Sequence, residues 1–404
     1  MSTGPLAGLR IVECASFVAG PSCGMALGQL GADVIRIDPV GGAADYRRWP
    51  VAPGGDSLYW TALNKGKRSV AVDLRSEQGR ELVTALITAP GPDRGVFVDN
   101  SVGRRWLSYQ ALSARRDDLI HVHVQGHADG RPAVDYTVNA EIGIPMITGS
   151  DETAAPVNHV LPAWDLITGM TAATGVLAAL HERSATGRGA YIELALADVA
   201  TAGVANLGWL AEAELRGSER PRHGNHVYGS FGVDFATRDG ERVMVVALTE
   251  GQWHALRQVT GTEEVFTALE QALDVDFRLE SDRYRLRETI AAILRPWFAA
   301  RSLAEASAAL NAARVLWSRY QGMVDVVAAY RAGSGGSVLT SVDQPGIGPT
   351  IAARSPLRWA GGYRETAAAP VLGQHTDEVL SEVLGLEPAE LGKLHDANVI
   401  AGAA

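Results

Sequence analysis

An aspartate stands at the mouth of a long run of small residues, LPAWDLITGMTAATGVLAALHERSATGRGAYIELAL, from Leu161 to Leu196. Taken alone, Asp165 has two readings. A carboxylate just ahead of an apolar, helix-forming run is most often an N-cap, accepting from backbone N–H groups two or three residues on. The same group can instead be a reactive nucleophile. Other chemistries are poorly served. His121 and His123 alternate on one strand and so share a face, but no third ligand at a zinc-like spacing accompanies them, and with His159 they read as packing residues; no metal is expected. No G-x-S-x-G turn supports a serine triad. Cys14 and Cys23 read as buried thiols. An activated carboxylate is the nucleophile that remains.

Phosphate recognition is the second chemical theme. Gly20, Gly24, Gly28 and Gly31 follow the first strand, and Asp38 ends the second where a ribose-binding acid would stand. They do not make G-x-G-x-x-G, so a nicotinamide or flavin oxidoreductase is a fold analogy only. Arg36, Arg47, Arg48, Lys65, Lys67, Arg68, Arg75, Arg104 and Arg105 crowd the first quarter of the chain. Several fall at strand ends, where ligands meet an α/β sheet, and they suit a ligand carrying several phosphates. For any one of them a solvated surface position is the commoner role.

The elements that must position these residues follow from periodicity. LRIVEC, VAGPSCG, MALGQLG and ADVIRID read as strand, glycine turn, helix and strand, a βαβ unit. KRSVAVDL, SEQGRELVTALI and GVFVDN repeat the pattern, with Ser76 and Glu77 marking the helix start. DLIHVHVQG from Asp118 to Gly126 is a further buried strand. Alternating strands and helices make a parallel α/β sheet the leading fold. The character changes near Arg216, where two β-rich runs flank Arg238-Asp239-Gly240, a strong hairpin signal. Helical sequence then dominates from Trp253 to about Tyr330. Residues 1–215 are therefore expected to form the first part of a large domain, 216–330 a small α+β domain, and 331–404 a linker and a return to the large domain. The glycine-rich stretch 332–337 reads as a flexible connector.

Composition narrows the class further. At 404 residues, 47% hydrophobic and 20% charged, the chain is expected to be a well-buried protein of more than one core. Its net charge of -10 argues against nucleic acid as the main partner. MSTGPLAGLRIVEC carries no signal-peptide pattern, and two cysteines suit a reducing cytoplasm. The apolar tracts Ile167–Leu180 and Val199–Ala211 read as too short and too rich in Gly and Thr to span a bilayer, so no membrane is expected.

These segments, taken in order, resemble the class III CoA-transferases, the family of formyl-CoA and carnitine CoA-transferases. The likeness runs through PLAGLRIVEC, AGPSCGMALGQLGADVIRID, LNKGKRSVAVDLRSEQGREL, VFVDN, DLIHVHVQG, GVLAALHERSATGRGAYIEL, RPRHGN and PVLGQHTDEVLSEVLGL. It implies a Rossmann-like large domain built from both chain ends, an inserted smaller α+β domain and an interlocked homodimer. The implied substrate is an acyl-CoA thioester, with no cofactor beyond the coenzyme A it carries. Asp165 takes the place of the nucleophile. Val18, Ala19, Arg36, Val72, Asp73, Leu74, Arg75, Asn100, Arg104 and Tyr136 take CoA-binding places, and Gly229 and Gly232 are candidate oxyanion donors. Where the family has Glu-Asn-Phe this chain has Asp99-Asn100-Ser101, which leaves the register of Arg104 open.

Racemases of this family pair a histidine with the aspartate. Val134 stands in the histidine's place, and valine cannot act as a base, so racemisation is disfavoured. The finer likeness of IRIDPVGGAADYRRWPV, LNKGKRS, VNHVLPAWD and RPRHGNHVYGSFGVDF implies CoA transfer within one molecule, from the C1 to the C4 carboxylate of mesaconate. Intermolecular transfer to another short dicarboxylic acid is the alternative. Arg47, Arg48 and Arg222 are candidates for the distal carboxylate.

Overall fold

The computed structural model describes residues 4–150, 155–333 and 338–403; positions 334–337 of the expected connector lie outside them. In chain order the elements that matter here are β1 (Arg10–Cys14), α1 (Ala19–Gln29), β2 (Asp33–Pro39), α2 (Leu58–Leu63), β3 (Arg68–Val72), α3 (Glu77–Ile87) and β4 (Val96–Asp99). They continue with α4 (Tyr109–Ser113), β5 (Ile120–Gln125), α5 (Asp135–Glu141), α6 (Ile144–Ile147), α7 (Ala163–Thr186), β6 (Ala190–Ala195) and α8 (Leu196–Asn206).

A parallel sheet in the order β3-β2-β1-β4-β5-β6 organises the larger unit, with the short strand Ile400–Ala401 antiparallel on β3. Its strands are apolar on both faces because helices cover both. Val12, Ile35, Val70 and Phe97 pack with Val83, Leu86 and Ile87 of α3 on one face. On the other, Ile11, Val34, Val98 and Val122 pack with Cys23 and Leu27 of α1 and Ala172 and Val176 of α7. The chain runs outward from β1 through β2 to β3, then returns to place β4 on the other flank of β1. That reversal between β1 and β4 is the topological switch point, where the carboxyl ends of strands open a crevice.

Two sequence expectations need correction. The glycine turn expected at VAGPSCG is already helix from Ala19, so the true turn is the shorter segment 15–18. Gly20 and Gly24 serve packing there: a Cβ at Gly24 would lie 1.9 Å from a carboxylate oxygen of Glu13, and one at Gly20 2.3 Å from the Ala15 Cβ. The apolar tract Ile167–Leu180 is part of a helix of 24 residues, long and apolar enough by length and composition to cross a membrane. Residues on either side extend it beyond the tract. Thr168, Gly169, Ala172, Ala173, Val176 and Ala179 are buried, the face of a core helix laid on α1 and the sheet.

The two ends of the large unit are tied by polar contacts. The Ser69 N–H donates to His375 Nδ1 (3.2 Å), the Ala71 N–H to Thr376 Oγ1 (3.1 Å) and the Gly373 N–H to Ser69 Oγ (3.0 Å). Arg68 adds ion pairs to Asp33 (2.6 Å) and Glu382 (2.7 Å).

The second compact unit comprises residues 143–159 and 213–335. Strands β7 (Phe231–Ala236), β8 (Arg242–Ala247) and β9 (Leu316–Arg319) form an antiparallel sheet, with Arg238-Asp239-Gly240 in the hairpin as the Asp-Gly pair implies. Its core stacks Phe235 on Phe298 and gathers Trp253, Phe266 and Phe277. Residues 143–159, read from sequence as part of the large domain, group with this unit. Arg222 donates to the carbonyls of Met146 (2.7 Å) and Ala155 (2.8 Å), and the Gly224 N–H to that of Gly149 (2.8 Å).

The crossing of α1 and α7 rests on one missing side chain. A Cβ at Gly169 would sit 2.0 Å from Ser22 Oγ and 2.7 Å from the Ala19 carbonyl oxygen. Gly169→Ala must therefore separate two helices that cover the sheet, and we expect a loss of about 1–3 kcal/mol, read as a lowered midpoint in urea with unchanged slope.

Candidate active site

Toward the carboxyl ends of β1 and β2, and reached by Lys67 from just before β3, lies a fully buried set of charges. Lys67 Nζ reaches both oxygens of Glu13 (2.7 and 2.9 Å), the Pro21 carbonyl (2.9 Å) and Asn64 Oδ1 (2.8 Å). Arg36 forks onto Asp38 with two contacts of 2.9 Å, and reaches Asp45 (3.1 Å) and Asn64 Oδ1 (3.0 Å). Asp45 in turn accepts from the Phe17 N–H at 2.9 Å. That bond fixes the turn before α1, where Phe17 holds a φ of 68°, uncommon for a residue with a side chain. From the other side of the switch point, Asn100 Oδ1 accepts from the Ser16 N–H (3.1 Å) and Asn100 Nδ2 donates to the Ser16 carbonyl (2.9 Å).

Asp165 lies in the first turn of α7, one turn inside the position that the N-cap reading required. Pro162 occupies the cap position and offers no side-chain bond. The capping carboxylate comes from another element: Asp135 Oδ2 of α5, 1% exposed, accepts from the backbone N–H groups of Trp164 (2.7 Å) and Asp165 (3.2 Å). One turn along α5, Asn139 Oδ1 accepts from Trp164 Nε1 at 3.0 Å. The Asp165 carboxylate itself makes no hydrogen bond or ion pair among the described residues. Burial pushes its carboxyl up to about 6, and the nearby charge of Asp135 adds to the rise. It is thus an ionisable, uncommitted carboxylate in a partly desolvated place, the combination expected of a nucleophile or base.

Tyr59 of α2 stands close enough to feel that charge. Its own burial pushes the phenol up to about 12; Arg48 opposes the rise, and Asp165, Asp45 and Tyr136 add to it. The Arg48 guanidinium lies 5.3 Å from the Tyr59 ring and 5.5 Å from that of Phe17. Sequence reasoning missed Asp135, Asn139, Tyr59 and Phe17. The i, i+4 spacing of two polar residues in DYTVN was the available sign of a helix presenting both to one neighbour.

The expected CoA-binding positions divide. Val18 and Ala19 at the start of α1, and Asn100 beside Ser16, are brought together at the switch point. Val72, Asp73, Leu74 and Arg75 form the carboxyl end of β3 and its loop, where the Arg75 side chain is 94% exposed. Arg104 is exposed, and its side chain makes no hydrogen bond or ion pair among the described residues; its charge reaches Cys14 at the end of β1. Tyr136, half exposed, donates to the Val160 carbonyl (3.3 Å). Arg36 is different: at 0% exposure, with its donors on Asp38, Asp45 and Asn64, it holds the loop and has no face for a ligand. Asp38, 1% exposed and paired with Arg36, is likewise closed to a ribose, which removes the main support for a dinucleotide reading. Arg222 is spent on backbone carbonyls.

Gly229 and Gly232 lie in the second unit. Gly229 takes a left-handed φ of 78°, and its N–H makes no hydrogen bond among the described residues. A Cβ at Gly232 would come within 2.6 Å of Val227.

A second cluster of the large unit joins the end of β4 to β5. The register sets Asp99 beside His123, and Asp99 Oδ1 accepts from His121 Nε2 (2.9 Å) and His123 Nδ1 (2.7 Å). The expectation that the two histidines lack a third partner of ligand type is therefore corrected: the three donor atoms lie within 4.8 Å of one another. Asp99 comes from a neighbouring strand, out of reach of any local spacing rule. Both nitrogens are directed at one oxygen, so the set is closed by its own hydrogen bonds. Cys14 and Cys23 are buried free thiols, and burial pushes Cys23 up to about 12, away from reactivity.

Residues 6–376 match the model of CoA-transferase family III. The chain is 49% identical over 402 residues to the 2-methylfumaryl-CoA isomerase of Chloroflexus aurantiacus, covering 99% of this chain and 98% of that protein. It is 28% identical over 396 residues to the succinyl-CoA:mesaconate CoA-transferase of Haloarcula hispanica, covering 94% and 96%. Among solved structures, a CAIB/BAIF family protein from Brucella suis is similar with a TM-score of 0.75 at 26% identity, covering 95% of this chain and 100% of that one.

The Asp99 cluster makes a pH-dependent contribution whose sign is fixed. Burial disfavours the Asp99 anion, but hydrogen bonds from His121 and His123 outweigh it and hold the carboxyl below its usual range; the bond to Asp99 raises His123. The carboxylate's contribution is present above its unfolded value and lost as pH falls through the folded one. That of the imidazolium is full below its unfolded value and lost as pH rises through the folded one. His123→Gln should therefore destabilise most between about pH 4 and 6.5. Urea midpoints of both proteins across pH 4–9 check this, with the gap expected to narrow on the alkaline side.

Proposed function

Because the chain belongs to CoA-transferase family III, we propose that it moves coenzyme A between the two carboxylates of one short unsaturated dicarboxylate, interconverting 2-methylfumaryl-CoA and 3-methylfumaryl-CoA. The observation that carries the reading at the level of residues is the uncommitted carboxylate of Asp165, relieved of capping by Asp135 and raised to about 6. The full-length likeness to an isomerase of that name supports the substrate.

Above about pH 6 the Asp165 carboxylate is ionised. It attacks the thioester carbonyl, the C–S bond breaks, and a mixed anhydride and the CoA thiolate result. The thiolate then attacks the aspartyl carbonyl, which releases the dicarboxylate and leaves an aspartyl-CoA thioester. When the other carboxylate of the same dicarboxylate attacks that thioester, the two steps run in reverse and CoA returns to the opposite end. Splitting one exchange into these steps is what a covalent nucleophile achieves. A backbone N–H donor would stabilise the tetrahedral oxyanions. Water must be kept out, since anhydride and thioester both hydrolyse.

Arg75 in the loop after β3 and Arg104 in the segment after β4, both exposed, are the proposed partners of the CoA phosphates. Val134, 58% exposed immediately before Asp135, offers no proton to move, which disfavours racemisation. The proposed working form is a homodimer; Ile167, Met170 and Leu177 leave an apolar stripe of α7 exposed for a second copy to cover. Likeness to a succinyl-CoA:mesaconate CoA-transferase favours intermolecular transfer as the second reading.

Asp165→Ala should abolish turnover while circular dichroism and CoA binding stay close to the parent; near-parental activity would remove Asp165 as nucleophile. With the parent enzyme, the rate should fall on the acid side with a midpoint near the raised carboxyl value of about 6. 2-Methylfumaryl-CoA alone should yield 3-methylfumaryl-CoA, and labelled free mesaconate should barely enter the product. Chromatography of the CoA esters reads both, and turnover that appears only when a free acid is added would establish the intermolecular reading instead.

A further inference from the structure

The amino end of a helix presents backbone N–H groups without intrahelical partners, and a nearby carboxylate is drawn to them. In α7 the nearest carboxylate in sequence is Asp165. Were it to fold back onto those donors, its lone pairs would be taken and its basicity lowered. The structure shows the donors already occupied by Asp135, through the bonds to the Trp164 and Asp165 N–H groups. We propose that Asp135 is a positioning residue for the nucleophile: by capping α7 from a neighbouring helix it leaves the Asp165 carboxylate free to react and fixes the backbone from which it projects. The inference rests on the reading of Asp165 as nucleophile.

Three features make Asp135 suited to this. It is 1% exposed, so its bonds to α7 are not exchanged for water. Its own helix is held: Val138 is buried with Leu196 and Ala200 of α8, Thr137 Oγ1 accepts from the Val134 N–H (3.1 Å), and Asn139 grips Trp164 one turn on. A bond to α7 from so anchored a helix fixes position as well as satisfying donors. Finally, the charge of Asp135 sits beside Asp165 and disfavours a second anion there. The other titratable groups facing this place are Tyr59 of α2 and Tyr136 of α5, with Arg48 and Asp45 beyond Tyr59. Removing the Asp135 charge while keeping an acceptor should make Asp165 easier to ionise and a weaker nucleophile.

Asp135→Asn and Asp135→Ala separate the two effects. With 2-methylfumaryl-CoA as substrate, Asp135→Asn should keep KM and move the acid limb of the rate profile to lower pH. Asp135→Ala, which loses the cap, should cut kcat on the order of a hundredfold, the scale of a small misplacement of a reacting group, with KM changed far less. A second readout needs no turnover: carbodiimide labelling of Asp165 without substrate, followed by peptide mass spectrometry across pH 4–8, should show its protonation midpoint displaced downward in Asp135→Asn. If the labelling midpoint and acid limb of Asp135→Asn coincide with the parent's, the charge role is overturned; if Asp135→Ala turns over at the parental rate, the capping role is. Should the alanine variant fail to fold, Asp135→Ser, which loses the charge and draws the acceptor back from α7, replaces it in the capping test. An active Asp165→Ala would instead defeat the nucleophile reading, while the labelling would still report what Asp135 does to its neighbour.

Discussion

Two buried cations facing three buried carboxylates hold the crevice side of this fold in register. Lys67 comes from just before β3, Arg36 and Asp38 from β2, Glu13 from β1, and Asp45 from the loop after β2. Replacing such charges with apolar groups can be neutral, but removing a single partner strands a charge in the interior at about 3–5 kcal/mol. The cluster is thus a matching condition: each strand end must sit where its neighbours' charges are answered. Gly24 is bound by the same condition, since the Glu13 carboxylate occupies the space its Cβ would need. Through Asp45 the condition passes outward to the Phe17 N–H, and so to the turn that starts α1.

Two carboxylates at the start of α7 show how environment divides labour between identical groups. Asp135 accepts two backbone N–H groups and is spent on structure. Asp165, thirty residues on by sequence separation, has a carboxylate without a hydrogen bond or ion pair among the described residues and with its affinity for a proton raised. Different surroundings are the usual means by which one fold assigns different tasks to the same side chain. The small residues of α7 belong to the same arrangement, because Gly169 lets the helix lie close on α1, which itself begins at the switch point.

Much of this was legible in the chain. Apolar runs bounded by glycine turns gave β1 to β5; Ser76 announced α3, whose Gly79 N–H it caps; and Asp239-Gly240 marked the hairpin between β7 and β8. The elements fixed by short-range chemistry were therefore readable. What escaped depended on neighbours distant in sequence. Asp165 looked like a cap because nothing local shows that Asp135 has taken the role. Arg36 looked like a phosphate ligand because nothing local shows it enclosed by Asp38, Asp45 and Asn64. Asp99 joins His121 and His123 only through the pairing of β4 with β5.

The closure of the large unit bears on the order in which the chain can fold. Ser69 and His375, bonded across the outer flank of the sheet, are 306 residues apart in sequence. Contacts of such separation must meet a large loop-closure entropy before they contribute, which slows their formation. Most of the second unit, from residue 213 onward, is contiguous and lies between those two partners. During synthesis from the amino end it can therefore complete its own core while β3 still awaits its outer neighbour. Until then the edge of β3 exposes unpaired backbone groups, an opportunity for a chaperone or for mispairing with another nascent chain.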